Sequence, residues 1–89
     1  MNRLETTVIV GNTKGVHGRV ATRLAEIAAN HQVCLTLTRE AETVDCASIL
    51  DVLALALVQG TAITLQAEGE QAGVALAVAR KVLMEQDDG

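Results

Sequence analysis

The spacing of hydrophobic positions changes along the chain, and each change marks the boundary of a predicted element. Residues 6–10 are mostly β-branched, which favours a strand. Between about residues 18 and 30, apolar side chains recur three and four positions apart, which predicts an amphipathic helix. The intervening residues 11–15 begin and end with glycine, which indicates a loop.

The rest of the chain shows the same two periodicities. Apolar and polar residues alternate over 33–38, which predicts a strand with one buried face, and a weaker strand is expected over 42–46. Residues 48–51, Ser-Ile-Leu-Asp, have the form of a capping box that opens a short helix, although this apolar run is also compatible with a strand. Residues 63–67 alternate again, and the Ala-rich segment 70–85 predicts a closing helix.

The predicted order is therefore strand, helix, strand, strand, helix, strand, helix. Interleaving of this kind, with one short connection between strands, is typical of the α+β class. We expect an open-faced sandwich in which three helices cover one face of a four-stranded antiparallel sheet. With 89 residues and no repeat or linker, residues 1–89 are expected to form one domain.

Composition narrows the classes of function. The chain is 49% hydrophobic but has no Phe, Tyr, Trp or Pro, so its core must be aliphatic. Without aromatic rings it has no platform for stacking single-stranded bases. A net charge of -4, with no cluster of Lys or Arg, also argues against binding to duplex nucleic acid. No nucleic-acid partner is expected.

Neither export nor metal binding is indicated. The N-terminus lacks an apolar signal core, and the longest nearly apolar run, residues 49–58, is too short to span a bilayer. Cys34 and Cys46 do not form a disulfide framework and are interpreted as reduced thiols. There is no CxxC or HExxH motif. We therefore expect a cytoplasmic monomer without membrane insertion, metal or cofactor.

The segment 15–19, Gly-Val-His-Gly-Arg, lies where the predicted loop enters the first helix. No Ser, Asp or Asn directly precedes this helix, so the backbone N–H groups of Gly18 and Arg19 are expected to be available to an anion. The neutral imidazole of His17 is a nucleophile near neutral pH, and Arg19 supplies charged donors. Gly18 leaves space for a phosphoryl group. The spacing alone is equally compatible with a solvent-exposed His17 cap and a solvated Arg19.

A resemblance to a known family adds to this interpretation. Residues 15–19, followed by Ala21, resemble the Gly-Leu-His-Ala-Arg-Pro-Ala active-site motif of HPr, the histidine-containing phosphocarrier of the phosphotransferase system. Ser48-Ile49-Leu50 is similar to the regulatory serine segment of that family, and residues 58–69 are similar to its strand and turn before the last helix. The three blocks are in register without large insertions, so the resemblance covers nearly the whole chain and implies an HPr-like fold.

The resemblance implies a relay function. His17 would accept a phosphoryl group on Nδ1 from enzyme I, which is charged by phosphoenolpyruvate, and pass it to enzyme II components, including A-type domains. Arg19 and the backbone N–H groups of Gly18 and Arg19 would stabilise the phosphate. The protein would be a carrier with a transient phosphohistidine, and not an enzyme that turns over a substrate of its own.

The resemblance also implies a regulatory residue and a docking surface. Ser48 has two interpretations, as the N-cap of the second helix or as a target of HPr kinase/phosphorylase. The partner surface for enzyme I and enzyme II domains would comprise Ile49, Leu50 and Leu53, although a core position is the preferred alternative for Leu53.

Two departures from the family pattern keep another function open. Val20 replaces the family proline, which loosens the first helical turn. Asp51 stands where family members often carry Gly or a basic residue, which weakens docking onto an acidic partner. The alternative is a regulatory HPr-like module that binds a transcription factor or an enzyme with little phosphoryl flux. A third, generic ligand-binding domain is disfavoured because both His17 and Arg19 are present.

Overall fold

The computed structural model describes residues 3–86, and its elements follow the predicted order. They are β1 (Arg3–Ile9), α1 (Gly18–His31), β2 (Cys34–Arg39), β3 (Glu42–Asp45), α2 (Ile49–Ala54), β4 (Ala62–Glu68) and α3 (Ala72–Met84). The apolar run after residue 48 is thus a helix, and the alternative of a strand is wrong. None of the helices in this part of the chain is long and apolar enough to cross a membrane.

The four strands form one antiparallel sheet in the order β1-β4-β2-β3. The central strand β4 pairs with β1 and β2, and β3 is joined to β2 by a tight hairpin that begins at the pair Arg39 and Glu42. Alternate residues of β4 are buried under the helices, whereas the residues between them are half-buried or exposed on the other face. The predicted open-faced α+β sandwich is confirmed.

An aliphatic core lies between the sheet and the helices, as the composition predicts. The helix α1 buries one face, and α3 buries three alanines that let it pack closely against α1, β1 and β4. Cys46 is part of this core, and burial raises the pKa of its thiol to about 12, with smaller contributions from Asp45 and Cys34. Both cysteines are free thiols, and only Cys34 is exposed.

The start of α2 differs from the predicted capping box. Ser48 occupies the N-cap position with an extended backbone, but its hydroxyl makes no capping hydrogen bond. The turn that precedes the helix is closed by Asp45 instead: its carboxylate accepts from the N–H of Ala47 at 2.9 Å, and its carbonyl oxygen accepts from the N–H of Ser48 at 2.9 Å. The prediction of a capping box was therefore wrong, because Asp45 orders the turn that the serine was expected to order.

The end of α2 is closed by a residue in an unfavourable conformation. Ala56 has a φ of 52°, in the left-handed region, and its N–H donates to the carbonyl oxygen of Leu53 at 3.0 Å. Helices commonly end in this conformation, but glycine usually occupies the position because a Cβ is strained there. Ala56 thus reverses the chain toward Leu57 at a cost in stability.

We expect the substitution Ala56→Gly to raise the free energy of unfolding by about 1 kcal/mol, because glycine adopts the left-handed conformation without strain. Urea denaturation monitored by circular dichroism measures the change. The matched control is Ala54→Gly at the last residue of α2, which should lower stability by up to about 1 kcal/mol, because this residue is helical and glycine disfavours that conformation. A loss of stability in both variants would contradict the strain at Ala56.

Candidate functional site

The loop that carries His17 is fixed by the segment that follows α2. The N–H of Val16 donates to the carbonyl oxygen of Leu57 at 2.9 Å. Within the loop, the N–H of Gly15 donates to the carbonyl oxygen of Asn12 at 2.9 Å. Gly15 has a φ of 74°, and a Cβ at this position would collide with the carbonyl oxygen of Leu57. Glycine is therefore required here by both the backbone conformation and the close approach of the two segments.

His17 itself caps α1. Its backbone is extended, its carbonyl oxygen accepts the first helical hydrogen bond from Ala21 at 2.9 Å, and its Nδ1 accepts from the backbone N–H of Arg19 at 3.2 Å. Nδ1 of histidine is bonded to Cγ, just as the side-chain oxygen of an Asn or Asp cap is. The imidazole can therefore accept a hydrogen bond from the same backbone N–H as those caps. In the unmodified protein the N–H of Arg19 thus donates to Nδ1, and its availability to an anion stays a prediction.

This hydrogen bond determines which nitrogen of the neutral ring carries no proton. Because Nδ1 of His17 accepts a hydrogen bond, the proton of the neutral ring lies on Nε2. The lone pair on Nδ1 points at the positive end of the helix dipole, where an anion is favoured. A group that bonded to Nδ1 would displace this contact, and the N–H of Arg19 would then face the new group.

The remaining residues of the motif surround this nitrogen with little bulk. His17 is half-buried, whereas Gly18 and Arg19 are exposed. A Cβ at Gly18 would have no atom of another residue within 4 Å beyond its chain neighbours and its own helix. The fold itself therefore does not demand glycine at position 18. Val20, at the position of the family proline, is buried in the core.

The three residues of the expected partner surface differ in exposure. Leu50 is 78% exposed, while Ile49 and Leu53 are partly buried and pack against the core. The core alternative for Leu53 is therefore favoured. Asp51 is exposed beside Leu50. Val58 is 64% exposed, although the sequence analysis did not single it out. The sequence indicated this position only as an apolar residue before the turn at Gly60.

A second contact of the loop was also missed by the sequence analysis. Asn12 is only 1% exposed, and its Nδ2 donates to the carbonyl oxygens of Val82 at 3.0 Å and Glu85 at 2.9 Å. These carbonyl groups lie at the C-terminal end of α3. Arg23 of α1 pairs with the carboxylate of Glu85 at 2.9 Å and ties the same helix end to α1.

Other polar candidates lie outside this arrangement. Nδ1 of His31 lies 2.9 Å from the carbonyl oxygen of Ile27, within the last turns of α1, which supports a structural role. Within residues 3–86, no group of three or more His, Cys, Asp or Glu side chains is arranged to bind a metal ion.

We expect Gly18→Ala to keep or raise the melting temperature, because a Cβ fits at the start of α1 and alanine restricts the unfolded chain, an effect of about 0.4–1 kcal/mol. Gly15→Ala is the contrasting variant, and its positive φ and the nearby carbonyl of Leu57 should cost more than about 1 kcal/mol. Thermal unfolding of both variants measures this difference. Equal melting temperatures would contradict the account of the loop.

The chain matches a family model and several known proteins in sequence. The family model described as PTS HPr component phosphorylation site, where PTS is the phosphotransferase system, matches residues 4–85. The chain is 36% identical over 76 residues to the phosphocarrier protein NPr of Shewanella violacea, which covers 85% of this chain and 84% of that protein. It is 34% identical over 73 residues to the phosphocarrier protein HPr of Xylella fastidiosa, with 82% of each chain covered.

Solved structures show the same fold. The phosphocarrier protein HPr from Bacillus anthracis superimposes with a TM-score of 0.86 at 24% identity and covers 93% of this chain and 99% of its own. The histidine-containing phosphocarrier protein of a Mycoplasma superimposes with a TM-score of 0.81 at 28% identity and covers 91% and 92%. The chain therefore belongs to the HPr family of phosphocarrier proteins of the phosphotransferase system.

Proposed function

We propose that this protein is a cytoplasmic phosphocarrier that accepts a phosphoryl group on Nδ1 of His17 from phosphorylated enzyme I and passes it to A-type domains of enzyme II. The observation that carries the proposal is the hydrogen bond from the N–H of Arg19 to Nδ1 of His17 at 3.2 Å. It aims the unprotonated nitrogen at the start of α1, the part of a helix that best accommodates a phosphate.

The transfer step needs no catalytic base on this chain. The lone pair of Nδ1 attacks the phosphorus carried by enzyme I, the new P–N bond forms, and the bond between phosphorus and the donor atom of enzyme I breaks, leaving its electron pair on that atom. The proton on Nε2 of His17 stays in place throughout, so no proton has to leave the ring. The reverse of this step delivers the phosphoryl group to the next acceptor.

Backbone and side chain then stabilise the transferred group. Once Nδ1 is bonded to phosphorus, the N–H of Arg19 and the adjacent N–H of Gly18 are oriented toward the phosphoryl oxygens, in the region of positive dipole. The guanidinium of Arg19 supplies charge-assisted donors from an exposed position. This assigns the phosphate-binding role to the residues that the resemblance implied.

Docking of the partners is assigned to the exposed end of α2. Leu50 projects from the surface, and the chain after α2 contacts the His17 loop through Leu57 and Val16. Exposed apolar side chains are typical of a protein-binding surface. Leu50 is therefore the main apolar contact, flanked by the partly buried Ile49 and Leu53.

Ser48 is proposed as a regulatory phosphorylation site for HPr kinase/phosphorylase. Its side chain is half-buried at the start of α2, and its hydroxyl is not engaged in capping that helix. A phosphate is tolerated electrostatically at a helix N-terminus, although Asp51 in the first turn opposes it.

One observation favours a second function, that of a regulatory binding module with little phosphoryl flux. Asp51 follows Leu50 in the first turn of α2 and is exposed, so the helix that carries the proposed docking surface adds a negative charge to it. Such a surface favours a basic partner and disfavours an acidic one. The partner in this case is a transcription factor or an enzyme with a basic contact region.

The two functions are separated by the intact mass of the protein after incubation with phosphoenolpyruvate and enzyme I from the same organism. We expect the mass to rise by one acid-labile phosphoryl group in the wild type and in His31→Ala, and not to rise in His17→Ala. Because the chain has two histidines, His31→Ala is the matched control for the loss of an imidazole.

The negative outcome is equally informative. No gain in mass for the wild type would contradict the carrier function and favour the binding module. A gain that persists in His17→Ala would show that another residue is the acceptor.

A further inference from the structure

Three consecutive residues of the His17 loop supply hydrogen-bond donors to the end of α3. The N–H of Gly11 donates to the carbonyl oxygen of Leu83 at 2.8 Å, and the side chain of Asn12 donates to those of Val82 and Glu85. The hydroxyl of Thr13 donates to the carbonyl oxygen of Gln86. The last carbonyl groups of a helix have no partner within the helix, and the loop satisfies those of Val82 and Leu83 together with those of the two residues that follow α3.

Asn12 differs from its two neighbours because it also forms the turn that leads to His17. Its backbone carbonyl oxygen accepts from the N–H of Gly15 at 2.9 Å. The N–H of Val16, the residue after Gly15, donates to the carbonyl oxygen of Leu57. The N–H of His17 then donates to the carbonyl oxygen of Gly15 at 3.1 Å. The buried Asn12 thus forms hydrogen bonds to the end of α3 through its side chain and to the turn before His17 through its backbone.

We propose that Asn12 is a positioning residue for phosphotransfer at His17. Its side-chain amide anchors the loop to the C-terminal end of α3, and this anchor keeps Nδ1 of His17 on the N–H of Arg19. The inference rests on the proposed function, since the property that Asn12 maintains is the orientation of the phosphoryl acceptor. A displacement of about 1 Å at a reacting group is enough to reduce a rate a hundredfold.

The chemistry of the contact explains why an amide occupies this position. Both of the acceptors are carbonyl oxygens, and an NH2 group supplies two donors from a single atom. An aspartate of the same size would place carboxylate oxygens against those carbonyl groups and repel them. Among residues 3–86, Oδ1 of Asn12 has no hydrogen-bond partner, so the side chain anchors the loop through its donors.

Two variants, Asn12→Asp and Asn12→Ser, test the proposal against the control Thr13→Val. The control removes one donor to the same end of α3 but leaves both hydrogen bonds of the Asn12 side-chain amide intact. The first measurement is the backbone amide resonance of Arg19 in the protein alone. It should shift strongly in Asn12→Asp, less in Asn12→Ser, which retains one donor, and little in Thr13→Val.

The second measurement is the rate of phosphorylation by enzyme I, taken well below the melting temperature of each variant. We expect kcat to fall about tenfold in Asn12→Asp while KM stays within about twofold, because the acceptor is misaligned and the docking surface at Leu50 is unchanged. The control Thr13→Val should keep the kcat of the wild type.

Two results would overturn the positioning role. One is an Arg19 resonance that stays in place in folded Asn12→Asp and Asn12→Ser. The other is a kcat in both variants that equals that of Thr13→Val. A wild-type protein that enzyme I does not phosphorylate would instead contradict the proposed function, and the Arg19 resonance would still decide whether Asn12 orients His17.

Discussion

The N-terminus of α1 presents backbone N–H groups that the helix cannot satisfy, and most of the site follows from how this need is met. The imidazole of His17 accepts from the N–H of Arg19, which fixes the ring, its proton and the direction of its lone pair. A conventional Ser or Asp cap would satisfy the same donor but would offer no nitrogen nucleophile. The cap and the candidate phosphoryl acceptor are therefore one side chain.

That arrangement depends on a loop anchored from two directions. The segment after α2 contacts it through Leu57, where only glycine fits at position 15, and the end of α3 contacts it through Asn12. The sheet contributes indirectly, because β1 leads into the loop and β4 packs beneath α3. His17 is thus half-exposed on a support made of fixed backbone contacts, and a partner can reach it without rearranging the fold.

Much of the fold followed from the periodicity of the sequence, because each element buries one face of an aliphatic core. The short helix α2 was the weakest element to predict, and the turn before it is closed by Asp45, whose role is not visible in a capping-box pattern. The His17 motif was recognisable from its residues. The role of Asn12 was not, because its partners at 82 and 85 are distant in sequence and are backbone atoms that leave no residue pattern.

The site is organised around Nδ1 of His17, which carries no proton and accepts a hydrogen bond from the N–H of Arg19 before any phosphate arrives. The most direct test is the ¹⁵N spectrum of the imidazole in the unmodified protein, recorded at a pH where the ring is neutral. We expect the proton to reside on Nε2 and Nδ1 to show the chemical shift of an acceptor coupled to the amide of Arg19. A proton on Nδ1, or a ring that exchanges freely between the two tautomers, would contradict it.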